Sequence, residues 1–290
     1  MRWVRQERRC TSVIQITIQT LRTRLVKGVH EFMFSISGLD AYRDAAHILH
    51  DIELTIPTGR FTALIGPNGS GKSTLMATMA GMMTPRRGSL TLDEKPVSTY
   101  SKRELARLVS FLPQQVQTPA GMNVRELLVQ GRFPWRGWMG GWTATDEKAV
   151  TDAASLCEIE QLIDRPLANL SGGQLQRAWI AMTLAQDTPT LLLDEPTTFL
   201  DIANQLSLLD LLATLRDAGR TVVAILHDLN QAARYADFLV MMRDGRIVAQ
   251  GETSDIFNDA NIEDVFGVRS RTIIDPATGD RICIQSSRQS

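Results

Sequence analysis

Phe61-Thr62-Ala63-Leu64-Ile65-Gly66-Pro67-Asn68-Gly69-Ser70-Gly71-Lys72-Ser73 decides the fold. Its first five residues form a compact apolar run that reads as a buried strand. After Ser73 the apolar positions Leu75, Met76, Met79 and Ala80 fit a helix closed by Gly81. Gly66 to Ser73 match G-x-x-x-x-G-K-S/T, and they lie after a strand and before a helix, the context such a match requires. The glycines let successive backbone N–H groups turn inward on phosphate oxygens, the helix start adds positive potential, and Lys72 reaches the terminal phosphates. Ser73 is placed to coordinate Mg²⁺, and Thr74 beside it is counted with the binding loop.

A second stretch, Leu191-Leu192-Leu193-Asp194-Glu195, is an apolar strand that delivers two carboxylates at its carboxyl end, the edge where ligands bind in such sheets. Asp194 is placed to hold Mg²⁺ and Glu195 to polarise an attacking water. Weak alone, this motif joined to the first implies hydrolysis of a nucleoside triphosphate.

Working outward, Ile48 to Ile56 alternates apolar and polar residues before the turn Pro57-Thr58-Gly59, which predicts a strand. Ser89 to Leu92, Val109 to Leu112, Thr190 to Leu193 and Thr221 to Leu226 read as further strands, with a helix over Ile202 to Asp217. Phe238 to Met242 and Ile247 to Ala249 read as a hairpin, followed by a short helix around Asn261 to Phe266. Between about 119 and 186 the pattern turns helical, over Asn123 to Gln130, Asp146 to Leu156 and Gly172 to Leu184. The expected architecture is α/β: a P-loop core with a mixed sheet and an inserted helical subdomain. Met82-Met83 and Met241-Met242 are expected to fill the core or a hinge.

The whole-chain properties narrow the function. At 290 residues the chain can bury a full core, and a formal net charge of -1 provides no general field to gather nucleic acid. Cys10, Cys157 and Cys283 are odd in number and far apart, so they make no disulfide framework, and a reducing compartment is the simple reading. No apolar run approaches the length of about 18 residues needed to span a bilayer. Residues 1–31 carry Arg2, Arg5, Arg8, Arg9, Arg22, Arg24 and Lys27 but lack the continuous apolar core of a secretory signal. They read as a basic, poorly ordered extension, with contact to lipid headgroups as the other reading. The domain is expected over 32–290.

With both nucleotide motifs in place, Leu170-Ser171-Gly172-Gly173-Gln174 resembles the signature sequence of the ATP-binding cassette (ABC) ATPases. That resemblance implies ATP and Mg²⁺ as ligands and a homodimer, in which Ser171, Gly172, Gly173 and Gln174 contact the γ-phosphate held by the other copy. A Ser-Gly-Gly segment opening a helix is an anion-binding end in its own right. The resemblance further implies that Gln114 senses Mg²⁺ and the γ-phosphate, with Gln115 beside it as an ambiguity. In the same way it implies that Asp201 belongs to the loop crossing the dimer interface, that His227 contacts the γ-phosphate, and that Tyr42 stacks on adenine, with His47 as the alternative.

Asn123-Val124-Arg125-Glu126-Leu127-Leu128, Gly131-Arg132-Phe133-Pro134 and His227-Asp228-Leu229-Asn230-Gln231-Ala232 resemble the branch that imports iron–siderophore complexes, haem and cobalamin. This implies two copies docked under two transmembrane permease subunits, on the cytoplasmic face of the membrane and fed by an extracytoplasmic binding protein. Import of an iron–siderophore complex is the expected activity; a haem, cobalamin or metal-ion importer, an exporter motor and a cassette without a transport role are the alternatives. Trp135, Trp138 and Trp142 either join the permease-docking surface or pack the helical lobe.

Overall fold

A computed structural model of the chain describes residues 31–118, 120–137 and 140–286. The basic extension read over 1–31 lies outside them except for Glu31, as does Trp138.

The chain begins with β1 (Phe32–Arg43), which turns back into β2 (Ala46–Pro57); β3 (Phe61–Ile65) then feeds α1 (Lys72–Met79). Next come β4 (Arg87–Leu92), β5 (Lys95–Pro96), α2 (Lys102–Leu108) and β6 (Val109–Leu112). A helical stretch follows, with α3 (Val124–Gln130), α4 (Ala144–Leu156) and α5 (Gly172–Ala185). The core resumes with β7 (Thr190–Leu193), α6 (Ile202–Asp217), β8 (Thr221–Ile225), α7 (Leu229–Tyr235), β9 (Phe238–Arg243) and β10 (Arg246–Glu252). Last come α8 (Thr253–Ile256), α9 (Asp259–Phe266) and the hairpin of β11 (Arg269–Ile274) and β12 (Arg281–Ser286).

The principal sheet has the order β10-β9-β3-β8-β7-β6. Neighbours from β9 to β6 run parallel, and β10 is an antiparallel edge, so the sheet is mixed. Its central strands β3, β7 and β8 are buried along their whole length, which explains their unbroken apolar sequences: a parallel strand covered on both faces has no solvent side to mark with polar residues. Alternate residues therefore serve two different cores. Leu191, Leu193, Val222 and Ala224 face a core shared with α3 to α5. Leu192, Val223 and Ile225 face α1 and the antiparallel sheet β2-β1-β4-β5.

The helical stretch owes its shape to its helix starts. Asn123, Thr143 and Ser171 each close a reciprocal capping box with Glu126, Asp146 and Gln174, an arrangement worth about 1 kcal/mol per helix start. Arg132 and Asp146, both buried, pair at 2.9 Å, and Arg132 also donates to the Ala185 carbonyl at 2.8 Å, tying α4 to the end of α5. Trp135 donates from Nε1 to the Gln186 carbonyl at 2.6 Å with the Arg107 and Arg132 guanidinium groups over its ring, yet it and Trp142 remain partly exposed.

Some elements depart from the sequence reading. β1, α2, α7 and the β11–β12 hairpin were not expected as elements. Met241 and Met242 are fully buried as expected, but Met82 is 73% exposed and fills no core.

Candidate functional site

The glycine-rich loop leaves β3 through Gly66, whose φ is +154° and whose hypothetical Cβ would lie 2.1 Å from the Met242 carbonyl oxygen of β9. Only glycine lets the loop pass so close to the neighbouring strand. The loop's far side is clamped by the β9–β10 turn: Gly245 N–H donates to the Ser70 carbonyl at 3.2 Å, and the Gly245 carbonyl accepts from His50 N–H at 2.9 Å. The phosphate cradle is thus held between the principal sheet and the β1–β2 hairpin.

Lys72 opens α1 and is 5% exposed. Its ammonium donates to the carbonyls of Gly66 and Pro67, both at 2.9 Å, and to Ser70 Oγ at 3.3 Å. Burial pushes its pKa down, opposed by the nearby carboxylates Glu195 and Asp194.

Asp194 and Glu195 follow β7, beside the loop that follows β3 across the intervening β8. Ser73 Oγ donates to Asp194 Oδ1 at 3.2 Å. Burial raises the Asp194 pKa, opposed chiefly by that hydrogen bond. Glu195 has a left-handed backbone, φ +54°, a costly conformation for a residue with a Cβ and one that recurs at functional sites. Its Oε1 meets His227 Nε2 at 2.7 Å, and its Oε2 accepts from Thr198 Oγ1 at 3.3 Å.

These groups surround a cleft of about 410 Å³, within the range of small-molecule sites. Asn68, Gly69, Gly71, Lys72, Ser73 and Thr74 line it from the loop and the start of α1, together with Gln114, Glu195 and His227. Gln114 lines it where Gln115 does not. The third boundary was not foreseen: Arg43 and Ile48, from the end of the β1–β2 hairpin.

Tyr42 lies beside the cleft at the end of the β1–β2 hairpin. It is paired across the hairpin with His47 and stacks on that ring at 4.2 Å and 4°. The Arg86 guanidinium lies 4.3 Å from the Tyr42 ring centroid; two groups so close to one centroid occupy opposite faces. Neither Tyr42 nor His47 lines the cleft. Successive strand residues point to opposite sides, so the neighbour Arg43 reaches the cleft where Tyr42 does not.

Ser171, Gly172, Gly173, Gln174 and Asp201 lie together but outside this cleft. Ser171 and Gln174 are engaged in the capping box of α5, and Asp201 caps α6 by accepting from Asn204 N–H at 2.8 Å. A Cβ on Gly173 would lie 3.4 Å from Leu200 Cδ2, so the start of α5 sits directly against the Phe199–Asp201 loop. Phe199 and Ile202 are 79% and 76% exposed there.

Among the described residues no group of three or more His, Cys, Asp and Glu suits a metal ion. Ser73, Asp194 and Gln114 offer instead a sparse set of hard oxygen donors with one buried carboxylate. That chemistry fits Mg²⁺, which is commonly held by one or two carboxylates together with waters and substrate phosphates.

Residues 49–198 match the family model described as ABC transporter. The ferric enterobactin transport ATP-binding protein FepC of Escherichia coli (strain K12) is 46% identical over 242 residues, spanning 83% of this chain and 89% of that protein. The petrobactin import ATP-binding protein FpuD of Bacillus anthracis is 42% identical, across 82% and 87% of the two chains. The hemin import ATP-binding protein HmuV of Rhodococcus jostii (strain RHA1) is 34% identical, across 83% and 82%. Among solved structures, a dimeric bacterial ABC transporter cassette superposes with a TM-score of 0.69 at 26% identity, covering 76% of this chain and 99% of that one.

Proposed function

Because the chain belongs to the ABC transporter family and is an ATP-binding ATPase of it, we propose that it drives import of a ferric siderophore complex from the cytoplasmic face of the membrane. The observation that carries this reading is the similarity to the ferric enterobactin protein along 83% of this chain and 89% of that protein. Among the described residues no helix is long and apolar enough to cross a membrane. Two copies of this chain engage two transmembrane permease subunits, which receive cargo from an extracytoplasmic binding protein. Residues 32–290 act as one ATPase domain with the helical lobe, about 119–186, inserted in it.

In hydrolysis, the loop N–H groups and Lys72 grip the phosphates, Lys72 exchanging its loop carbonyls for phosphate oxygens. Ser73, Asp194 and Gln114 would hold Mg²⁺, which when bound would supply neutralising charge at those oxygens. Glu195 accepts a proton from the attacking water as the new bond to the γ-phosphorus forms and the bond to the ADP oxygen breaks. His227 orients Glu195 through the contact at 2.7 Å. Ser171, Gly172, Gly173 and Gln174 at the tip of α5, with Asp201 beside them, complete the site of the second copy. ATP then closes the dimer, because the closed state alone has both grips on the γ-phosphate.

Reconstitution with the permease pair and binding protein in vesicles tests the reading. ATP-dependent uptake of radiolabelled ferric siderophore is expected, and ATP turnover without such uptake contradicts it. The similarity to the hemin import protein favours haem as the second reading, and haem uptake in the same vesicles would select it.

A further inference from the structure

The His227 side chain is 45% exposed. Packing therefore does not hold its ring, and its place against Glu195 is set by the backbone that carries it. That backbone leaves β8 and passes through Asp228 directly into α7. Asp228 caps the helix, its Oδ1 accepting from the N–H groups of Asn230 at 2.7 Å and Gln231 at 3.0 Å. What fixes α7 therefore fixes His227.

Hydrogen bonds tie α7 both to α6 and to the β11–β12 hairpin. On α6, Gln205 Oε1 accepts from Gln231 Nε2 at 2.9 Å, and Asp210 accepts from the Tyr235 hydroxyl at 2.8 Å. On the hairpin, Cys283 N–H donates to Asn230 Oδ1 at 2.7 Å, across 53 positions of sequence. Cys283 stands opposite Thr272 in the strand pair, yet its N–H turns away from that strand and toward the helix. Its side chain is buried in the same core as Leu229 and Ala232 of α7. Arg234 also meets Asp280 of the hairpin at 3.6 Å, an exposed ion pair that adds little. The hairpin takes no part in the chemistry described above, but it is fastened three residues after the histidine that does.

We propose that Asn230 is a positioning residue for hydrolysis: by accepting the Cys283 N–H it fastens α7 to the β11–β12 hairpin and so sets where His227 stands against Glu195. An inward-facing N–H of the hairpin needs an acceptor, and the Asn230 amide oxygen supplies it at one fixed point of the helix. Proton transfer tolerates little misplacement, since a shift on the order of 1 Å can cost about 100-fold in rate. The inference rests on the roles given above to Glu195 and His227 and extends them to a residue outside the cleft.

Steady-state ATP hydrolysis and equilibrium MgATP binding are measured for the full chain and its variants. Asn230→Ala is expected to lower turnover roughly tenfold, with MgATP affinity kept within about twofold. Cys283→Pro, which removes the donor from the other side of the bond, is expected to show the same split. Asn230→Asp, which keeps the accepting oxygen, is expected to regain most of the turnover. In a His227→Ala background, Asn230→Ala is expected to cause no further loss, because its effect passes through His227. Undiminished turnover in Asn230→Ala overturns the proposal, as does affinity falling in step with turnover. It is equally overturned if Asn230→Asp is as slow as Asn230→Ala, or if the loss recurs in full in the His227→Ala background. Full turnover in His227→Ala alone sinks the role of His227 on which the inference rests, an outcome distinct from those.

Discussion

Glu195 Oε1 and His227 Nε2 lie 2.7 Å apart, joining the residues that follow two adjacent strands, β7 and β8. The strained backbone of Glu195 aims its carboxylate across the strand ends, and the histidine holds it there.

Removing that partner should impair chemistry more than binding. His227→Ala is expected to lower ATP turnover about 100-fold, the low end of what a positioned acid–base group contributes, with ATP affinity changed less than about threefold. Steady-state hydrolysis together with equilibrium binding checks both parts. A parallel loss of affinity would instead make His227 chiefly a ligand contact.

Gly66 and Gly69 separate steric need from conformational need. Both have positive φ, but a Cβ on Gly66 meets the Met242 carbonyl at 2.1 Å, while one on Gly69 meets nothing within 4 Å. Gly66→Ala is expected to abolish ATP binding, whereas Gly69→Ala should cost only about 1–2 kcal/mol of local strain. Calorimetric titration with ATP and thermal melting of both variants provide the comparison.

The Arg132–Asp146 pair tests the internal tie of the helical stretch. Either single alanine substitution leaves a buried charge without its partner and should destabilise the chain by about 3–5 kcal/mol. Asp146→Ala is the more harmful of the two, since it also removes the capping box of α4. The double variant Arg132→Met, Asp146→Leu should recover part of the loss in urea unfolding.

Tyr235 predicts a pH dependence. Burial and the hydrogen bond to Asp210 at 2.8 Å push its pKa up from 10.0 to about 12. The folded state therefore keeps its proton longer than the unfolded chain does. The stability this provides is complete below pH 10.0 and is lost as pH rises toward about 12. Tyr235→Phe should be less stable at neutral pH and should lack this part of the alkaline decline, as followed by melting temperature against pH.

Much of this was legible in the sequence because phosphate chemistry constrains residue type and spacing together. The Gly66–Ser73 loop, Asp194-Glu195 and the Leu170–Gln174 segment each need their own residues in order, so they survive as readable strings. The β1–β2 hairpin does not. Its register shifts at several points, including between Ala41 and Tyr42, so alternation could not show that Arg43 and not Tyr42 faces the cleft. The short helix α2 buries only Leu105, too little to make a helical period. The terminal hairpin exposes Ile274 and Ile284, which removes the inside–outside contrast by which a strand is recognised.

In the proposed cycle one triphosphate is held by the loop of one copy and the α5 tip of another. Sedimentation of the Glu195→Gln chain with saturating MgATP, alone and with its permease subunits present, tests this most directly. Doubling of the 32.2 kDa mass of the chain is predicted, with Ser171→Arg abolishing the doubling but not nucleotide binding. A Glu195→Gln chain that keeps full hydrolysis, or that stays monomeric under both conditions, would contradict it.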